Sequence, residues 1–263
     1  LKEVLQVMEQ LAPLSLAESW DNVGLLVEPS KCRPIKTILL TNDLTVAVME
    51  EAESISSDLI VSYHPPLFRP FKRLVQSDWK QLLAVRAIES GMAIFSPHTS
   101  WDSVKGGLND WLVGGLGSGQ VSVLSPALSS IPSCHKLEFT VKSREELHTV
   151  MEELKACNSG TGLQHSSCRS PPSLDSSIFT VAVCAGSGAS VLTGVKADLY
   201  ITGEMSHHEV LDAVAKGTSV ILSDHSNSER GFLSVFREKL TVRLPDSVAV
   251  VVSKVDRDPL EVV

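Results

Sequence analysis

Basic residues never gather in this sequence, and no stretch interleaves them with aromatics, which make up only 5% of the chain. That excludes the electrostatic footprint of direct binding to a nucleic-acid backbone. Acids outnumber bases 31 to 23, for a net charge of −8. Long apolar runs are missing too: Val248–Val252 is strand-sized, far short of the roughly 20 residues of a membrane span, so no membrane partner is expected. Cysteine is sparse. Cys32, Cys134, Cys157, Cys168 and Cys184 are odd in number and scattered, with no C-x-x-C pair. This excludes a zinc ribbon and fits a reduced, intracellular chain. Cys184, inside VAVCAGSG, reads as a small buried hydrophobe. Charge is low as well, 21% against 43% hydrophobic residues, which excludes disorder. The 263 residues suffice for one or two domains with full cores. The first residues are amphipathic rather than a signal peptide, and a start at Leu1 leaves room for a removed initiator or targeting segment.

What is present centres on Ser219–Phe232, SVILSDHSNSERGF. The apolar run Val220-Ile221-Leu222 reads as a buried parallel strand, and Asp224, His225 and Glu229 stand at its carboxyl end. Open α/β sheets place their ligands there. If a helix starts at this point, His225 and Glu229 form an i,i+4 pair on one face. The device recurs in Ala93-Ile94-Phe95, followed by His98 with Asp102 four residues on, and in Leu59-Ile60-Val61, followed by Tyr63 and His64. One histidine so placed is ordinarily structural. Three of the chain's eight on one pattern point to a metal site.

Imidazole and carboxylate donors together suit zinc, iron, manganese or nickel, whereas calcium and magnesium prefer oxygen alone. Five candidate ligands, His64, His98, Asp102, His225 and Glu229, exceed the three usual for one catalytic zinc and suit a pair of divalent transition-metal ions. Such a pair activates water, which makes hydrolysis the expected reaction class. Glu204, at the end of its own strand, is the candidate catalytic carboxylate, as a general base or as a partner orienting a ligand; a helix-start carboxylate favoured by the dipole is the plainer alternative. His207 and His208 read as surface or capping residues of a helix opened by the capping box Ser206–Glu209. Gly186-Ser187-Gly188 reads as a tight strand–helix turn before a phosphate cradle. Trp20-Asp21-Asn22 is unusual core filling and either lines a site or forms a turn.

Strands and helices alternate. A helix covers residues 1–12; strands are expected at 36–40, 59–61 and 93–95, with helices at 46–52, 79–90 (stopped by Gly91) and 108–113. This is the crossover pattern of a parallel sheet. Residues 117–135 and 158–177 are rich in Ser, Gly and Pro and read as linkers. Between them a strand at 136–141 and a capping box at Ser143–Glu146, opening a helix to about Ala156, make a short βα excursion. Strands at 179–185, 198–201, 220–222 and 248–252 follow. The expectation is an α/β fold of two largely parallel-sheet halves, 1–125 and 178–263, enclosing a metal site, with a Ser/Pro-rich linker and excursion over 126–177.

At WDNVGL (20–25), YHPPLF (63–68), PHTSWD (97–102), TGEMSHHEVLDA (202–213) and HSNSERGF (225–232), the chain resembles the NGG-one-interacting factor three-like family, whose bacterial members are often labelled GTP cyclohydrolase I type-two homologues. The resemblance implies a dinuclear metal site on the five ligands above and assembly into a ring hexamer or its dimer unit. The family's name implies transcription-regulatory protein partners, hence a transcription-cofactor role without catalysis as the alternative to hydrolysis, and a nuclear location beside the cytoplasmic one. The animal branch is the nearer match, because Tyr63 stands where the family usually has His. A phenol ligates only when deprotonated, which weakens one metal position. The short middle excursion also lacks the stretch that larger members carry before VAVCAGSG.

Overall fold

The computed structural model describes residues 1–31, 33–116, 119–123, 137–146, 164–166 and 177–260. In chain order its strands are Gly24–Val27 (β1), Thr37–Thr41 (β2), Leu59–Ser62 (β3), Ala93–Ser96 (β4), Gly119–Val123 (β5), Leu137–Glu146 (β6), Gln164–Ser166 (β7), Ser177–Ser187 (β8), Leu199–Glu204 (β9), Ser219–Leu222 (β10) and Ala249–Val252 (β11). They form two sheets, β1-β4-β3-β2-β11 and β5-β6-β8-β9-β10-β7. The chain divides into two compact units, Leu1–Trp101 with Leu233–Arg257, and Asp102–Phe232 with Asp258–Val263. The α/β class read from the sequence holds.

In the first unit β2, β3 and β4 run parallel, as apolar runs buried on both faces should. Leu39, Ile60 and Ile94 are fully buried against Val48, Met49 and Leu83 of the two crossover helices. Those helices begin where side chains satisfy their first backbone amides. Thr45 accepts from the Val48 amide ahead of Val46–Ser54, and Asp78 accepts from Lys80 and Gln81 at 2.9 and 3.1 Å ahead of Trp79–Ser90. Gly91, at φ 69°, ends the second in the left-handed region, as its residue type predicts. An antiparallel β1 closes one edge against β4.

The other edge differs from expectation. β11 pairs in parallel with β2, Ala249 beside Thr37 and Val252 beside Leu40, so the expected second half, 178–263, gives its last strand to the first sheet. A short apolar strand carries no address in its sequence; backbone pairing supplies one.

In the second unit only β8, β9 and β10 are mutually parallel. β6 joins β8 antiparallel with β5 outside it, and β7 joins β10 antiparallel, so this sheet is mixed rather than largely parallel. Ser143–Glu146 lies within β6, where Glu145 pairs with Ile178 after an irregularity in register, instead of opening a helix. Cross-strand pairing overrides the local capping signal there. The remainder of the expected helix, to Ala156, lies outside the described residues. So does most of the expected 126–177 linker, although residues 119–123 and 164–166, within the two stretches read as linkers, are strands. The core of this unit sets Val181, Val183, Leu199, Ile201 and Ile221 against Leu112 and Val113 of the helix Leu108–Gly114.

One device appears in both sheets. Asp58, just before β3, accepts the backbone N–H groups of Lys36 and Thr37 at 2.8 and 3.2 Å. Its carbonyl takes the Ala93 amide at 3.0 Å. Asp198, just before β9, accepts those of Phe179 and Thr180 at 2.9 and 2.8 Å, and its carbonyl takes the Ser219 amide at 2.9 Å. One aspartate thus ties the starts of three parallel strands, its carboxylate to one neighbour and its backbone carbonyl to the other, and both triplets carry the candidate ligands at their far ends.

Candidate functional site

In the first unit, β3 runs out at Ser62 into Tyr63 and His64, whose amides donate to the Thr41 and Asn42 carbonyls at 2.9 and 3.0 Å. His64 Nδ1 lies 2.9 Å from Asp43 Oδ1. β4 runs out at Ser96, and His98 follows at φ 32°, a left-handed backbone that a histidine adopts only when its surroundings fix it. His98 Nδ1 lies 2.8 Å from Asp21 Oδ1, while Thr99 donates to Asp21 Oδ2 through its amide at 3.1 Å and through its hydroxyl. Burial of Asp21 opposes its ionisation, but the hydrogen bond and charge of His98 and the bonds from Thr99 outweigh it and hold the carboxyl below its ordinary value. An ionised carboxylate only accepts, so Nδ1–H donates to it and Nε2 is the atom each ring, when neutral, offers to a metal.

The His64 and His98 rings lie 5.4 Å apart between centroids. Tyr63, buried, packs 4.9 Å from the first and 5.3 Å from the second and stacks on Trp101.

In the second unit, β10 leads into Asp224, left-handed at φ 64°, and then His225. The expected α-helix is here a 3-10 turn, Ser226–Ser228, ending at Glu229; the α-helix Phe232–Thr241 starts later. The turn still brings the pair together: His225 Nε2 and buried Glu229 Oε1 are 3.3 Å apart. His225 Nδ1 lies 3.0 Å from Oε2 of Glu204, a half-exposed carboxylate at the end of β9. Gly186 passes so close that a Cβ on it would stand 2.7 Å from Glu229 Oε1 and 3.1 Å from His225 Nε2, and its φ is +63°. Its amide donates to Ser228 Oγ at 2.8 Å. The Gly-Ser-Gly element is therefore a close-approach turn beside the pair, and the helix after it, Ala189–Leu192, is a single turn. Burial, with Asp258 and Glu204 nearby, raises the Asp224 carboxyl above its ordinary value.

Asp102 lies, part-buried, in the helix Thr99–Ser103 and its carbonyl accepts Asn109 Nδ2 at 3.1 Å. His207 and His208 are exposed at the start of the helix His207–Ala215, which the Ser206–Glu209 capping box opens as expected. Cys184 is buried, as its sequence context suggests, and its thiol donates to the Ala185 carbonyl at 3.5 Å.

The donor set fits a transition metal. His64, His225 and Glu229 can each offer one ligand atom. All three candidate histidines share the same support, an Nδ1 held by a carboxylate (Asp43, Asp21 and Glu204), which is the arrangement that fixes tautomer and ring orientation around bound metals. Asp43 and Asp21 were not among the residues singled out as ligands. The only sequence signal for them is that Asp43 follows the polar end of β2 and Asp21 sits in the odd Trp-Asp-Asn turn. Among the described residues no helix is long and apolar enough to cross a membrane.

The profile of a family described as Duf34/NIF3 (NGG1p interacting factor 3) matches residues 1–259. NIF3-like protein 1 of Drosophila melanogaster is 45% identical, over 99% of this chain and 88% of its own. NGG1-interacting factor 3 of Saccharomyces cerevisiae is 36% identical, over 100% and 96%. A crystal structure of a Bacillus cereus protein related to NIF3 superposes with a TM-score of 0.85, over 100% of this chain and 98% of its own; at 18% identity it speaks for the fold alone. On a profile match of this extent and on relatives this similar, the chain belongs to the Duf34/NIF3 family.

Proposed function

We propose that the chain binds divalent transition-metal ions through His64, His98, Asp102, His225 and Glu229, and uses them to hydrolyse a nucleotide-like or phosphoester small molecule. The observation that carries this reading is the shared support of the three imidazoles, each fixed at Nδ1 by a carboxylate at 2.8–3.0 Å. Histidines that merely fill space have no need of three such partners. Bound ions of this class supply Lewis acidity and an activated water. The chain's own part is to present Nε2 atoms and carboxylates at fixed angles. Glu204, through its contact with His225 Nδ1, serves as a positioning residue for that imidazole. Tyr63 occupies the place where an additional imidazole would complete the set, which leaves one metal position the weaker.

The test is elemental analysis of protein purified without chelator, as wild type, His225→Ala and Tyr63→His. Between one and two equivalents are expected in the wild type, a sharp loss in His225→Ala and a rise in Tyr63→His. Wild-type metal in His225→Ala overturns the ligand assignment. Absence of turnover on nucleotide and phosphoester panels by fully loaded protein sinks the hydrolase half and leaves the metal half standing.

A second reading, a non-catalytic interaction factor acting as a transcription cofactor, is favoured by one observation: the family description and the yeast relative's name both record an interacting factor. The acidic balance of this chain, −8, suits protein partners better than DNA. Affinity capture of wild type and His225→Ala would support it if a specific regulatory protein were retained by both, and would remove it if none were. In either reading we expect a homo-oligomer, a ring hexamer or its dimer unit, in cytoplasm and nucleus, which sedimentation and fractionation would check.

A further inference from the structure

The mechanism above uses His98 but leaves unexplained what stands beside it. A cleft of about 510 Å³ in the first unit is lined by Trp20, Asn22, Leu67, Phe68, Arg69 and Phe71, among others. Trp20, Phe68 and Phe71 are 60%, 41% and 46% exposed, in a chain with only thirteen Phe, Trp and Tyr residues. Three large rings gathered at one place and left partly in water are apolar surface that a bound molecule can cover. Trp20 and Phe68 meet edge to face, 6.1 Å between centroids at 71°, and form a corner. Each also stands edge-on to the His98 imidazole, at 6.2 and 6.3 Å. The corner is held in place, because Asn22 Nδ2 donates to the Leu67 carbonyl and ties the Trp20 turn to the Phe68 loop. Arg69, at the rim, makes no ion pair with any described residue.

We infer that this cleft is a ring-recognition site: it takes a planar heteroaromatic ring, stacked on one of Trp20 and Phe68 and edge-on to the other, and Arg69 takes an anionic group carried by the same ligand. The volume lies within the roughly 300–1,000 Å³ usual for small-molecule sites, and aromatic walls with the Arg69 guanidinium at the rim make a pocket for a flat, negatively charged ligand. A corner of crossed rings accepts one inserted plane, whereas a helical partner needs a longer apolar trough. Because two rings of the cleft stand edge-on to His98, a ligand held between them lies near an imidazole assigned above to the metal. Naming this substrate class rests on the hydrolase reading; ring binding itself requires no metal.

The experiment is calorimetric titration of the whole chain with AMP, with adenosine, and with inorganic phosphate as a ring-free control, comparing wild type, Trp20→Ala, Phe68→Ala, Arg69→Gln and His225→Ala. Both aromatic positions are largely exposed, so their variants should keep the wild-type melting temperature. AMP is expected to bind saturably and to weaken at least about tenfold in Trp20→Ala and in Phe68→Ala, the loss of one base–aromatic stack. Arg69→Gln should weaken AMP but not adenosine, and His225→Ala should lose metal while Trp20→Ala and Phe68→Ala keep it. Unchanged affinity in both aromatic variants, or phosphate binding as tightly as AMP, overturns the inference. Displacement of AMP by a short Trp-containing peptide at lower concentration assigns the cleft to a protein segment and overturns it too. Failure here with His225-dependent metal content intact leaves the metal reading standing, and the reverse result leaves the cleft standing.

Discussion

Asp21 and Asp43 show why single residues are hard to read from a sequence. His64, His98 and His225 were legible because each ends an apolar run, a pattern confined to a few consecutive positions. Their supporting carboxylates come from 21 residues away for His64 and 77 for His98, and no local pattern spans that distance. Gly186 is a similar case. Its sequence suggested a turn, but its reason is tertiary: the His225–Glu229 pair occupies the space a side chain would need. Gly186→Ala therefore puts a methyl 2.7 Å from Glu229 Oε1 on a backbone at φ +63°. We expect a loss of about 1–3 kcal/mol in denaturant unfolding and a further loss of bound metal. The paired measurement separates the causes, since backbone strain alone would lower stability and leave metal content unchanged.

At the level of elements, the first sheet was nearly complete in the sequence, because crossover helices between fully apolar strands leave few alternatives. The second was less so. Its antiparallel strands β5 and β7 lie in Ser-rich stretches whose composition suggests linkers, and only pairing with β6 and β10 makes them strands, while β6 was legible over 136–141 and runs on to Glu146. The strand-start carboxylates are the elements' own test. Asp58→Ala or Asp198→Ala strips the acceptor from two backbone N–H groups at once. A loss of about 1–3 kcal/mol is expected from each, read as a lowered denaturant midpoint at unchanged slope. Arg33 also lies 3.5 Å from the Asp58 carboxylate, so Asp58→Asn, which keeps an acceptor oxygen, should recover part of the loss. Equal loss in Asp58→Asn and Asp58→Ala would show that charge rather than hydrogen bonding aligns the strands.

For the molecule as a whole, the alternation of strands and helices in the sequence pointed to an α/β protein, but not to the chain's return to its first sheet at Ala249–Val252. That return is a long-range event encoded in no segment. Bound metal is a whole-molecule property in the same sense, since a ligand held only by the native state raises the stability of everything folded with it. If the proposed ions bind, added metal at about a hundred times its dissociation constant should stabilise wild type by about 2.7 kcal/mol. A chelator should remove that gain and leave His225→Ala unmoved in a thermal melt. A chelator shift of equal size in His225→Ala would place the metal elsewhere.

The aspartate that precedes the middle strand of each parallel triplet has a consequence for how the chain acquires its shape. Asp58 and Asp198 close their contacts over about 20 residues (22 to Lys36, 19 to Phe179), short loops by the standards of parallel sheets, where ring closure is the slow and entropically costly event. Each triplet thus has its own early lock, at the end opposite the histidines. Folding can begin at the starts of the strands and reach the ligand-bearing ends last. Those ends, with left-handed His98 and Asp224 in them, are then the last to be ordered and the first to open, which suits residues that must admit an ion or a substrate.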